Sequence, residues 1–387
     1  MDEQKINEIL TRGVEDVIVK EELKKKLMSG KKLRLYLGVD PTGFDLHLGH
    51  AIVLWKLRAF QELGHEVILL IGDFTARIGD PSGKDATRKP LSEKEVKANM
   101  KDYKKQASKI LDFSKVKIKY NSQWLSKLKF EDILKLSSQF TVQQMIQRDM
   151  FQRRLEQNLP ISMQEFMYPL MQGYDSVAMD VDLEVGGNDQ MFNMLAGRTL
   201  QKNYNNKDKD VMTTKLLLGT DGRKMSKTFN NHIGLADQPN DMFGKLMSIK
   251  DELIGDYLEL ATRLPPTEIE EILKISNPRD QKARLAKEIV RLYHGEKEAA
   301  SAEGEFEKVF RNKELPSDTP VFNFDLPKDI VYLLASTNIV SSKKEAWRLV
   351  NQKGVRFNDE VIEDPRKMIV DEGVLRVGRK FAKIKIK

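Results

Sequence analysis

One segment constrains the fold of this chain more than any other: Asp40-Pro41-Thr42-Gly43-Phe44-Asp45-Leu46-His47-Leu48-Gly49-His50. It follows a hydrophobic, strand-like run, Leu33 to Val39, and opens a helix-like stretch, Ala51 to Leu63. A helix start presents unpaired backbone N–H groups and the positive end of a dipole, so it receives anions readily. His47 and His50 are three positions apart, within one helical turn, and can reach the same phosphate chain. Well downstream, Lys224-Met225-Ser226-Lys227-Thr228 sets two lysines three apart in a loop flanked by Gly and Asp. That pattern suits a mobile cationic clamp.

The rest of the chain supports an α/β reading. Strand-like runs at Leu33–Val39, Glu66–Gly72, Val116–Tyr120 and Val181–Val185 alternate with helical patterns, which predicts a parallel sheet. Between Leu91 and Leu111, apolar residues at Val96, Met100, Tyr103, Ala107, Ile110 and Leu111 recur at helical spacing. Phe130 to Leu159 is helical and rich in Gln, Met and Arg, an insertion between two halves of a nucleotide-binding fold. From about Pro239 to Arg311 the pattern is wholly helical, with Pro265-Pro266 and Asn277-Pro278 as boundaries. The expected organisation is a Rossmann-like parallel-sheet catalytic domain over 1–222 with a helical insertion at about 120–160. An all-helical domain follows the Lys224 loop over 223–312, then a linker at 313–320, then a small α+β module over 321–387.

At 387 residues the chain has room for two or three domains. Its net charge of +7 is mild, but 14 basic residues against 9 acidic ones fall between Val321 and Lys387. A basic C-terminal region points to a polyanionic partner such as nucleic acid. Cysteine is absent, which excludes disulfides, thiolate nucleophiles and cysteine zinc sites. No third ligand stands near His47 and His50, so no protein-bound metal is expected. The first residues, MDEQKINEIL, lack a signal-peptide pattern, and no run approaches a membrane span. A cytoplasmic protein that does not enter membranes is expected.

In their order and setting, the His47–His50 and Lys224–Thr228 motifs resemble the two signatures of class I aminoacyl-tRNA synthetases. The resemblance implies adenylate formation, in which an amino-acid carboxylate attacks the α-phosphate of ATP and pyrophosphate leaves. No enzyme nucleophile is needed; the protein aligns the substrates and neutralises phosphate charge. Thr42, His47 and His50 would hold the phosphates from the helix side. Lys84 and Arg88, beside Ile78-Gly79-Asp80-Pro81-Ser82-Gly83, would close over the pyrophosphate with Lys224, Lys227 and Thr228.

A narrower resemblance rests on Tyr36-Leu37-Gly38-Val39-Asp40-Pro41-Thr42, Ile78 to Gly83, Tyr168-Pro169-Leu170-Met171-Gln172-Gly173-Tyr174-Asp175 and Gly186-Gly187-Asn188-Asp189-Gln190. These look like bacterial tyrosyl-tRNA synthetases along nearly the full chain. By that resemblance, Tyr36 and Asp175 take the phenolic hydroxyl of tyrosine. Asp80, Tyr168 and Gln172 take its ammonium, and Gln190 faces its carboxylate. Gly38, Asp40, Gly187 and Asp189 approach the adenylate, with His47, His50, Lys224 and Lys227 on the ATP. Tyr168, Gln172 and Asp175 fall on one helical face, as a shared pocket requires. Asp80 is also placed as a turn residue before Pro81, and Asp189 as a helix cap. Leu37, Val53, Glu184 and Thr228 depart from the family's better-known versions, which bears on contacts to the ribose and on tuning of the pocket.

Val340 to Asn358 resembles the small RNA-binding module that ends bacterial tyrosyl-tRNA synthetases. Two short helices, Lys328–Ala335 and Lys343–Lys353, should precede strands at Gly354–Phe357, Val374–Val377 and Phe381–Ile386, with Trp347 in the core. The implied partners are tyrosine, ATP with Mg2+, tRNA(Tyr) and a second copy of the chain, paired through the Phe130–Leu159 helices. A tryptophanyl-tRNA synthetase, a pantothenate-activating ligase and a non-catalytic RNA-binding paralogue are the competing readings. Tyr36 with Asp175, the RNA-like module and the intact His47, His50, Lys224 and Lys227 weigh against them in turn.

Overall fold

Six strands form the sheet that carries the candidate site: β1 (Val14–Ile18), β2 (Arg34–Val39), β3 (Glu66–Ile71), β4 (Val116–Tyr120), β5 (Leu183–Gly187) and β6 (Asp210–Thr214). They lie in the order β1-β6-β5-β2-β3-β4 in a computed structural model of the chain. It describes residues 2–41, 46–82, 91–227, 229–310, 319–378 and 380–387, the side chains of Glu93 and Phe310 excepted. Strands β2, β3, β4, β5 and β6 pair in parallel. β1 runs antiparallel to β6, with Val14 opposite Thr214, so the sheet is mixed and not wholly parallel. Neither of those two strands is legible in the hydrophobic pattern. β1 (VEDVI) has an acidic pair mid-strand and a half-exposed edge position, and fully buried β6 (DVMTT) is built largely from polar residues.

The strand order reverses between β2 and β5. From β2 the chain moves outward through β3 and β4, then returns to the other side of β2 with β5. At such a switch point the loops leaving adjacent carboxyl ends diverge and open a crevice. Asp40 follows β2 there, and Gly187 ends β5.

Helices cover the sheet. Leu48–Glu62 follows β2 and buries Leu48, Ala51, Leu54, Leu57 and Phe60. Glu93–Ala107 follows β3, started by a capping box in which the Ser92 N–H donates to Glu95 Oε2 at 2.8 Å and the Glu95 N–H donates to Ser92 Oγ. All six apolar positions of that stretch are buried, as the spacing predicts. Three short helices, Phe130–Ser137, Val142–Ile146 and Asp149–Glu156, stand between β4 and β5. Helices Met163–Met179 and Met191–Asn205 then approach closely, because glycines face each other: a Cβ on Gly173 would lie 3.1 Å from the Gly197 nitrogen.

Pro239–Met247, Pro266–Leu273 and Pro278–His294 each begin with proline, whose missing N–H costs nothing in a first turn. The chain divides into two compact units, Met1–Ala299 and Ala300–Lys387, and helix Glu296–Phe310 spans the division. Most of the expected linker, residues 313–318, lies outside the described residues.

In the second unit β7 (Val321–Phe324), β8 (Lys328–Asp329), β9 (Val355–Phe357), β10 (Glu360–Val361), β11 (Met368–Ile369), β12 (Gly373–Val377) and β13 (Lys380–Ile386) accompany helices Ile330–Ser336 and Lys343–Asn351. Five of these strands form a sheet in the order β10-β9-β12-β13-β7. Its core includes Ile330, Leu334, Val350, Val355, Leu375 and Ile384. Trp347 is not in that core; it is 42% exposed. Helix Lys343–Asn351 buries Ala346 and Val350, one turn apart, and Trp347 projects about 100° around from Ala346 onto the face carrying Lys343 and Lys344.

Candidate active site

A cavity of about 400 Å³ opens at the switch point, entirely within the first unit. Asp40 organises one wall. Its Oδ1 accepts from Thr75 Oγ1 at 2.7 Å and its Oδ2 from the Tyr168 hydroxyl at 2.8 Å. Gly72 leaves the room for this, since any side chain there would collide with the Asp40 carboxylate and Thr75. Asn121, at the carboxyl end of β4, donates to Thr75 Oγ1 at 3.0 Å and to Asp175 Oδ2 at 3.3 Å. Trp124 Nε1 donates to the other oxygen, Asp175 Oδ1, at 2.7 Å. Asp175 is thus held at both oxygens at the closed end of the cavity. Burial raises its proton affinity well above the usual carboxylate value, opposed by those two donors.

The opposite wall is a chain of amides. Gln190 Nε2 donates to Asp80 Oδ2 at 2.8 Å, while the Ser82 N–H donates to Asp80 Oδ1, so Asp80 both makes the turn and faces the site. Asn193 Nδ2 lies 3.0 Å from both Gln190 Oε1 and Gln172 Oε1. Gln172 Nε2 in turn donates to Glu184 Oε1 at 3.1 Å.

At the mouth stands the helix start. His47 is the N-cap of Leu48–Glu62, and its N–H donates to His50 Nδ1 at 3.2 Å. The rings lie 3.8 Å apart between centroids, and His47 Nδ1 is buried without a protein partner. Partial burial, the His50 and His232 rings and the lysines opposite lower the proton affinity of His47; His50 is exposed by surface area, so its lowering, set by partial desolvation and Lys227, is the smaller. His50 opens into the cavity at one edge, but both rings stand neutral at pH 7. A neutral imidazole donates one hydrogen bond without repelling the lysines opposite.

The Lys224 loop is tied to this helix start by backbone. The Leu48 N–H donates to the Ile233 carbonyl at 2.9 Å, and the Leu235 N–H to the Leu46 carbonyl at 2.8 Å. Asn231, buried at the loop's base, accepts from the Ser226 N–H at 2.8 Å and donates to Asp221 Oδ1 at 2.7 Å and the Lys224 carbonyl at 3.2 Å. Lys224 Nζ reaches Asp189 Oδ2 at 3.2 Å across the cavity mouth.

Of the residues singled out by sequence, Gly38, Asp40, His47, His50 and Lys224 line one cavity together with Asp80, Tyr168, Gln172 and Asp175, and with Gly187, Asp189 and Gln190. Tyr36 is not among the lining residues: it is fully buried, and its hydroxyl sits 2.9 Å from Ser176 Oγ. Lys227 is exposed beside the histidines. Thr42, Lys84, Arg88 and Thr228 lie outside the described residues. Sequence reasoning passed over Thr75, Asn121, Trp124 and Asn193. Asn121 carried a usable signal, since it follows a predicted strand at the carboxyl edge where such sites form. The other three have none short of the fold.

Residues 28–311 match the family described as tRNA synthetases class I (W and Y). The chain is 50% identical over 385 residues to a tyrosine–tRNA ligase of Thermotoga maritima, covering 97% of this chain and 96% of the relative. It is 47% identical to one of Mannheimia succiniciproducens, with 98% of each covered. Among solved structures, a C-terminally truncated Aspergillus nidulans mitochondrial tyrosyl-tRNA synthetase superposes with a TM-score of 0.66 at 25% identity, over 80% of this chain and 94% of that one. An Archaeoglobus fulgidus tyrosyl-tRNA synthetase complexed with L-tyrosine gives 0.62 at 25% identity, over 78% of this chain and all of that one. On the extent of these matches, the chain belongs to the class I tRNA synthetases of the W and Y group.

Proposed function

We propose that this chain is a tyrosine–tRNA ligase, which joins tyrosine to ATP as tyrosyl-adenylate, releases pyrophosphate, and passes the tyrosine to the 3′ end of tRNA(Tyr). The observation that carries the reading is Asp175, held by Trp124 and Asn121 at the closed end of a cavity with a phosphate-type helix start at its mouth. A carboxylate aimed into a closed end accepts a hydrogen bond from a phenolic hydroxyl there. Asp80 and the Tyr168 hydroxyl flank the place of the ammonium, and Gln172 and Gln190 line the wall beside it. The tyrosine carboxylate then points toward the histidines, where the α-phosphate of ATP lies.

Bond formation needs charge control more than acid–base work. The carboxylate oxygen attacks the α-phosphorus and the bond to the β-phosphate oxygen breaks, so negative charge grows on the leaving pyrophosphate. Neutral His47 and His50, the backbone at the start of helix Leu48–Glu62, and Lys224 and Lys227 stabilise it. Lys224 must leave Asp189 to do so, and a phosphate chain is the stronger attraction. Magnesium comes in as the counter-ion of ATP, held mainly by phosphate oxygens and water.

The wider setting follows the same reading. The second unit, with Lys343, Lys344, Arg348 and exposed Trp347 on one helix, contacts tRNA. Helices between Phe130 and Met163 expose Phe130 (77%), Leu134, Val142, Leu155 and Met163, a surface suited to a second copy of the chain. No helix among the described residues is long and apolar enough to cross a membrane, and the bacterial origin of the relatives favours a cytoplasmic place. The test is amino-acid-dependent pyrophosphate exchange with each amino acid in turn. Exchange driven by tyrosine supports the reading. Exchange driven by tryptophan, or none at all, overturns it.

A further inference from the structure

A buried ion pair joins the cavity lining to the layer behind it. Lys209, immediately before β6, is 0% exposed, and Glu184, on β5, is 2% exposed. Lys209 Nζ donates to Glu184 Oε2 and, at 2.9 Å, to Ser176 Oγ. Each end of the pair then reaches a group assigned to the amino-acid pocket. Glu184 Oε1 accepts from Gln172 Nε2 at 3.1 Å, and Ser176 Oγ sits 2.9 Å from the Tyr36 hydroxyl. The ammonium also stands 5.9 Å from the centre of the Tyr36 ring. Gly197 makes the space: a Cβ there would lie 2.5 Å from Nζ and 2.8 Å from Ser176 Oγ.

Such a pair is a poor stabiliser. Desolvating both charges cancels most of their attraction, and apolar residues of similar volume often serve the fold as well or better. Its connections suggest another use. Tyr36 does not line the cavity itself, yet its ring packs with Ile68, Leu70 and Met179, and its hydroxyl meets Ser176 and Glu184, the two groups that Lys209 holds. Glu184 does line the cavity, so its charge would face the ligand unless neutralised.

We propose that the Lys209–Glu184 pair, acting through Ser176 and Gln172, is a positioning device for the amino-acid pocket: it fixes Tyr36 and Gln172 from behind and cancels a second negative charge beside Asp175. This rests on the tyrosine reading above. With Glu184 neutralised, Asp175 is the single carboxylate offered to a phenol, and Gln172 presents a fixed orientation because its amide N–H and carbonyl are each engaged. Lys209, Glu184 and Ser176 do no chemistry on the substrates; they act through the residues they hold.

The experiment compares the full-length protein with Glu184→Gln/Lys209→Met, which removes both charges at nearly constant volume, and with Ser176→Ala, which cuts the link to Tyr36 but keeps the pair. Pyrophosphate exchange is measured against tyrosine, phenylalanine and ATP, together with Tm. In the double variant KM for tyrosine should rise about tenfold or more and preference for tyrosine over phenylalanine should fall by a similar factor. KM for ATP should stay within about twofold, and Tm should be little changed. Ser176→Ala should show the same split, weaker. An unchanged KM for tyrosine in both variants, or KM for tyrosine and ATP rising together as Tm falls, would overturn the proposal and leave the pair purely structural. If the double variant does not fold, Ser176→Ala decides alone. A wild-type protein that fails to exchange with tyrosine would instead overturn the functional reading.

Discussion

Two donors fix Asp175 before any ligand arrives, so its direction is a property of the protein and not of the complex. Removing either should loosen selection of the phenol while leaving the phosphate end intact. Trp124→Phe, which keeps the ring and loses the N–H, is expected to lower kcat/KM for tyrosine about tenfold. Asn121→Ala should cost more, since Thr75 Oγ1 and the Phe74 N–H lose a partner as well. Exchange assays with tyrosine and phenylalanine measure both. The histidines carry a pH signature. Both have folded proton affinities below the ordinary value of 6.5, so under pH 6.5 the unfolded chain binds more protons than the folded one. Stability should therefore fall as pH drops from about 6.5 toward 4, and be unaffected by these groups above 7. In a resonance titration of the free protein, His47 should show no midpoint near 6.5, and exposed His50 a midpoint lowered less. ATP at pH 6 should shift both toward the protonated form, as a nearby polyanion does. An ordinary midpoint for His47 would refute its described enclosure.

At the scale of elements, the Lys224 loop is positioned by its base more than by its tip. Asn231 satisfies three backbone groups and one carboxylate from a buried position, and the segment after it is hydrogen-bonded to residues 46–48. Asn231→Ala should cost about 1–3 kcal/mol of stability through groups left unsatisfied. It should also slow adenylate formation by roughly 10²-fold with little change in tyrosine KM, because interactions made in the transition state are the ones misplaced. Rapid-quench measurement of adenylation separates the two effects. The motifs at 40–50 and 224–228 were legible because their chemistry is local: a helix start and a pair of lysines. Asn231, Trp124 and Asn193 were not, because a buried polar residue in a loop or helix has no period to betray it. Trp347 was misread for a related reason. One aromatic in a nine-residue helix cannot reveal which side faces the core until Ala346 and Val350 are seen to fill it.

For the molecule as a whole, the division after Ala299 separates a small-substrate machine from a basic accessory unit. A chain ending at Phe310 retains the sheet, the helices and every described residue of the cavity, so it should fold and exchange pyrophosphate at near the full rate. Charging of tRNA should fall sharply, with an excess of five positive charges removed, and the full chain's tRNA affinity should decline steeply as salt rises. Undiminished charging by the shorter form would show that the second unit does not read tRNA. The antiparallel partnership of β1 and β6 has its own consequence for how this chain is made. Val14 leaves the ribosome long before Thr214, its eventual neighbour, and at about 5–20 residues per second the wait runs to tens of seconds or somewhat less. During that interval the sheet cannot close its edge, and Arg12 lacks the carbonyls of Glu259, Thr262 and Leu264 that later grip it. Helix Leu48–Glu62 is the early anchor of the opening residues, since Lys56 Nζ donates to the Ile9 and Arg12 carbonyls at 2.7 Å, and their grip is completed only when Thr214 and then residues 259–264 arrive.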